Sequence, residues 1–136
     1  MLWILHLGYA CIPIGLTLKL AAELGFGWGS GWLHAITVGA FTTMISAVSS
    51  RAALGHTGRP LIAAKPKIVA FVLISVAAVL RVIVTSVPAS LLVLTLAGSA
   101  AAWIAAFVLW LVGLRPILWQ RRMDSHAGYS ARQREA

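Results

Sequence analysis

Four long, strongly apolar stretches, at about 2–22, 31–50, 67–87 and 90–114, decide what this chain can fold into. Each is near the roughly 20 residues that an α-helix needs to cross about 30 Å of hydrocarbon. The 136 residues are 60% hydrophobic and only 10% charged, and the mean hydropathy of +0.92 lies far above that of a soluble domain. Inside a bilayer only helices and closed barrels satisfy every backbone polar group. A barrel needs apolar and polar residues in strict alternation, and these stretches are apolar on all sides. The expected architecture is therefore all-α: a polytopic bundle of four transmembrane helices over residues 1–118, then a basic, disordered tail over 119–136.

The net charge of +8 is no sign of nucleic acid, because the cations stand where membrane topology asks for them. Arg51, Arg59, Lys65 and Lys67 fill the second connection, and Arg115, Arg121, Arg122, Arg132 and Arg134 gather toward the C-terminus. By the positive-inside rule both regions, and with them both termini, are expected in the cytoplasm. The first connection, rich in glycine, and the third, around Pro88, carry no basic residue and belong outside. Trp28 and Trp32 would then stand in the outer aromatic belt, Trp3 and Trp119 in the inner one. The single cysteine, Cys11, lies within the first span and has no disulfide partner. No basic segment precedes that span, so it does not read as a signal peptide, and a span beginning at residue 2 suggests a piece of a longer protein.

Small residues recur every four positions in the second span, at Gly31, Ala35, Gly39, Thr43 and Ala47, and again in the fourth at Gly98, Ala102 and Ala106. Such stripes let helices approach closely, and packing explains them without a ligand. In the first span His6, Tyr9, Pro13 and Thr17 share one polar face; a histidine in a bilayer is costly unless it faces the bundle interior, and His6 lies near enough to the inner end to reach interfacial water instead. His34 lies near the outer end of the second span, above a lining of Thr37, Thr42, Thr43 and Ser46. His34 and His6 therefore sit near opposite surfaces and cannot hold one metal ion, whereas His56 lies on the side of His6. His126, in the tail, reads as solvated surface. Lys19, about one turn from the outer end, precedes Glu23 by four residues, so snorkelling and a weak ion pair are expected to account for it. Arg81, about two turns from the outer end of the third span, suits an anionic partner or reaches interfacial water by snorkelling.

The chemistry concentrates in Arg51-Ala-Ala-Leu-Gly-His-Thr-Gly-Arg-Pro60. Gly55 and Gly58 permit a tight turn that exposes backbone amides, Arg51 and Arg59 offer planar donors for carboxylate or phosphate, and His56 adds an imidazole. An anion or lipid-headgroup site, a metal or haem edge site, and a loop that only sets orientation all remain open. The last requires arginines but not Gly-His-Thr-Gly between them.

His34-Ala-Ile-Thr-Val-Gly-Ala-Phe-Thr-Thr-Met44 followed by Arg51-Ala-Ala-Leu-Gly-His-Thr-Gly-Arg-Pro-Leu61 closely resembles the signature of NnrS family proteins. Leu5-His-Leu-Gly-Tyr-Ala and Ile12-Pro-Ile-Gly15 resemble the helix that precedes it there. The likeness is strong over the first half and rests on hydropathy alone beyond it, and the chain resembles the C-terminal third of family members. The resemblance implies a multi-pass protein of the bacterial inner membrane that contains haem and copper and serves the response to nitric oxide and nitrosative stress in denitrifying-type bacteria. Carried over by position, His6, His34 and His56 are the candidate metal or haem ligands. Arg51, Arg59 and Arg81 are the candidates for propionates or other anions, with Gly55 and Gly58 shaping the backbone. Cys11 and Met44 are softer donors, each alone in an apolar helix.

A second reading, from residue chemistry, is a non-catalytic module that assembles with other transmembrane helices, from missing spans or a second copy, and binds anionic lipid through its basic connection. No acidic residue lies deep in a span to couple ion transport. No pair of carboxylates or nucleophile with its base marks an enzyme.

Overall fold

The computed structural model describes residues 2–119. They form four helices: α1 (Leu2–Glu23), α2 (Gly31–His56), α3 (Lys65–Ile83) and α4 (Ala89–Trp119), each long and apolar enough to cross a membrane. Among the described residues there is no strand. The expected tail lies outside the described residues except for Trp119, which closes α4.

The helix ends follow local capping chemistry. At the close of α1 the Gly25 N–H donates to Ala22 O and the Phe26 N–H to Ala21 O, with Gly25 at φ +83°. This is the Schellman stop, in which a left-handed residue lets the chain satisfy the last carbonyls. The same device ends α2, where Gly58 N–H donates to Gly55 O and Arg59 N–H to Leu54 O around Gly58 at φ +67°. Helix α3 begins with proline in its first turn, where the missing N–H matters least.

These ends move the expected boundaries. The second helix runs past Ser50 to His56, so Arg51, Gly55 and His56 are helical rather than part of a loop. The third stops at Ile83 rather than 87, because Val84, Thr85 and Ser86 make turn hydrogen bonds back to Leu80, Val82 and Ile83. The fourth extends from Ala89 through Pro116 to Trp119.

In the middle of α2, residues Ala35–Thr42 are wound as a π-helix. Helix α1 crosses this region in close contact: a Cβ on Gly8 would lie 2.7 Å from Met44 Cγ, and one on Gly15 2.6 Å from Ile36 Cγ1. On its other side α2 meets α3, with Gly31 against Thr85 and Val82 and Gly39 between Cys11 and Ala78. All five residues of the stripe Gly31, Ala35, Gly39, Thr43 and Ala47 are buried. In α4 the corresponding stripe is buried only at Ala106, while Gly98 stays exposed with Leu80 3.8 Å from where its Cβ would be.

The main core joins Ile4, Ala47, Phe71, Ile74 and Ala106, and a smaller cluster at the basic end joins Leu54, Leu114 and Ile117. Trp110 ties α4 to α2, its indole N–H donating to Ser50 Oγ at 2.9 Å and to Ser46 O at 3.3 Å. Ser99 ties α4 to α3 through a bond from its hydroxyl to Ala77 O. With no hydrophobic drive between helices in lipid, such polar ties and close packing hold the bundle.

Candidate functional site

The Gly-His-Thr-Gly-Arg segment turns out to be a helix stop. Thr57 donates its hydroxyl to Ala53 O at 2.7 Å and to Leu54 O at 3.1 Å, and the amides of Thr57, Gly58 and Arg59 are taken up by the last turn. The expected cradle of free amides is therefore absent from the motif. Gly58 makes the turn. Gly55 is an ordinary helical residue with open space where a Cβ would go. Arg51 stands on α2 two turns before the stop and Arg59 just past it, both half-buried, with His56 exposed between them.

His34 and His56 belong to one helix and lie roughly 30 Å apart at about 1.5 Å per residue. The packing of Gly8 against Met44 sets His6 near the level of residues 44–47, so His56 lies more than two turns beyond it. The structure therefore brings none of the three histidines to another. Among the described residues no group of three or more His, Cys, Asp or Glu side chains is placed to hold a metal ion.

What the structure offers instead is single, oriented groups. The Nδ1–H of His6 donates to Leu2 O at 2.9 Å, since the carbonyl can only accept. That fixes the tautomer and leaves the Nε2 lone pair pointing away, the arrangement in which histidine commonly serves as a ligand. His6 is exposed, and so are Tyr9, Pro13 and Thr17. Of the two placements open to His6, the bundle interior and the outer surface, the structure has the second, because the small residues Gly8 and Gly15 are what α1 presents to α2.

His34 is half-buried in the first turn of α2. Arg81 itself lies in the last turn of α3, nearer the helix end than the sequence suggested. Beside it opens a cavity of about 320 Å³ lined by Val38, Arg81, Ser99, Ala100, Trp103 and Ile104. The other expected cation, Lys19, holds its ammonium 5.1 Å from the centre of the Trp32 ring, on the neighbouring helix.

Two features escaped the sequence reading. Lys67 looked like part of a basic loop, yet only 1% of it is exposed, its stem lying against Gly113 of α4. The first-turn proline beside it was the available signal, since it places Lys67 inside the helix. The π-helix was also missed.

No curated protein and no solved structure matches this chain. The family model described as NnrS protein matches residues 1–122, which carries the likeness of the first half through the fourth helix. With four membrane-crossing helices and a match over most of its length, the chain belongs to the NnrS family.

Proposed function

We propose that this chain is a membrane component of the bacterial nitric-oxide and nitrosative-stress response, and that the haem or copper it serves is bound together with helices beyond these four, from further spans of a longer protein or from a second copy. Membership of the NnrS family carries this reading. The outward polar face of α1 supports its second half. His6, Tyr9, Pro13 and Thr17 would face hydrocarbon in an isolated bundle, and polar side chains at that depth find partners when a neighbouring helix covers them. His6 would contribute one imidazole nitrogen there, held in position by its bond to Leu2 O. Haem and copper both accept imidazole, so the residue type does not choose between them.

The test is to isolate the complex that contains this chain from native membranes under mild detergent and to measure visible absorption and copper content. A Soret band or bound copper in the complex, lost on dissociation to single chains and weakened by His6→Ala, is the expected result. A complex with neither haem nor copper overturns the cofactor reading. The simpler assembly module, supported by the same outward face, would then stand.

A further inference from the structure

We propose that Arg81 anchors a binding site for the phosphate of an anionic phospholipid, in the leaflet at the end of the bundle remote from the basic connection. The site lies on the cavity between α2, α3 and α4.

Three observations carry it. First, Arg81 is half-buried, and among the described residues no hydrogen bond or ion pair engages its guanidinium. The chain has three carboxylates, Glu23, Asp124 and Glu135, and none is within the spans apart from Glu23 at the tip of α1. An arginine at membrane depth with no acid to meet it calls for an anion from outside the chain.

Second, the side chain runs inward. Side chains on a helix lean toward its N-terminus, and α3 ends at Ile83, two residues after Arg81. The residues that share the cavity with it confirm the direction. Ser99 donates to Ala77 O, one turn below Arg81, and Ala100, Trp103 and Ile104 follow deeper along the antiparallel α4. Arg81 therefore does not extend past its own helix end to reach water. Starting from a tip at Ala89, the level of Arg81 on α4 is roughly 10 Å down at about 1.5 Å per residue, which is the boundary between headgroups and acyl chains.

Third, the cavity opens on its α4 side, where Ala100, Trp103 and Ile104 are exposed. This gives an amphiphile what it needs: a planar, bidentate donor for a phosphodiester and an apolar groove for the first carbons of a chain. Trp103 supplies the amphipathic ring that favours this depth. Among the described residues no carboxylate lies on this cavity to offset the charge of Arg81, so the site favours a headgroup with net negative charge.

The full chain in detergent is titrated with phosphatidylglycerol, phosphatidylcholine or inorganic phosphate and read by native mass spectrometry and thermal unfolding. One retained phosphatidylglycerol that raises the unfolding temperature is expected, weakened about tenfold in Arg81→Gln and unchanged in Lys65→Gln, which removes the same charge at the other end. Ala100→Trp fills the groove while leaving Arg81 in place and should also lose the lipid, so the test stands even where Arg81→Gln fails to fold. Retention equal to the parent chain in either variant overturns the site. Phosphatidylcholine held as tightly as phosphatidylglycerol overturns the charge selectivity, and inorganic phosphate acting as well as lipid overturns the lipid.

Discussion

Two glycines three residues apart look alike in the sequence and behave oppositely in the fold. Gly58 occupies φ +67° and ends α2, whereas Gly55 lies within the helix and faces open space. Alanine at 58 must adopt a left-handed conformation that costs an L-residue roughly 1–2 kcal/mol, while alanine at 55 gains up to about 1 kcal/mol of helix propensity. Gly58→Ala should thus lower the unfolding midpoint in detergent and Gly55→Ala should raise or preserve it; the reverse order would show that the stop lies elsewhere. The motif itself was legible, but its role was not, because a Schellman stop is defined by which amide bonds which carbonyl. Lys67 makes the same point. Its burial depends on Gly113, 46 positions further along the sequence, and no local pattern announces that meeting.

Helix α2 explains how a spacing of four can mark one face. In an α-helix each four-residue step overshoots a full turn by about 40°, so Ala47 would drift roughly 160° from Gly31. Yet all five members of the stripe are buried. The π segment Ala35–Thr42 takes up the drift: its wider turns, marked by a bond from Thr42 Oγ1 back to Thr37 O, hold more residues and rotate the stripe the other way. The stripe was plain in the sequence, and the winding that straightens it became visible only with its partners in place. Those partners are close. At Gly15 a Cβ would lie 2.6 Å from Ile36 Cγ1 and 3.2 Å from Trp32 O, so Gly15→Leu should separate α1 from α2 and cost about 1–3 kcal/mol. Gly98→Ala, with its nearest neighbour at 3.8 Å, should be tolerated. Equal loss of stability in both variants, measured by thermal unfolding in detergent, would refute this account of the packing.

For the molecule as a whole, hydropathy was enough to name four helices, since each must satisfy its own backbone in lipid. The choice of faces was harder, because apolar residues cover every side. In its most apolar window α2 is 39% buried, against 17% for α1 and 11% for α4. With α3 at 33%, the second and third helices form the inner pair, α1 packing on α2 and α4 chiefly on α3, each with most of its surface outward. Polar residues alone left the orientation of α1 open, and the closeness of Gly8 and Gly15 to α2 decided it at the expense of turning His6 and Tyr9 away. Between the stop at Gly58 and the proline-led start of α3 runs a short stretch with no helical hydrogen bonds, in which Leu61 and Ile62 are exposed. A connection whose preceding helix closes in its own stop and whose following helix starts on a proline can be cut there without unravelling either helix. A protease site introduced after Ile62 should therefore be cleaved from one side of sealed vesicles only, leaving two hairpins that stay together. Cleavage in inverted but not right-side-out vesicles is the expected outcome for a cytoplasmic basic connection, and the opposite pattern would reverse the topology of every residue discussed above.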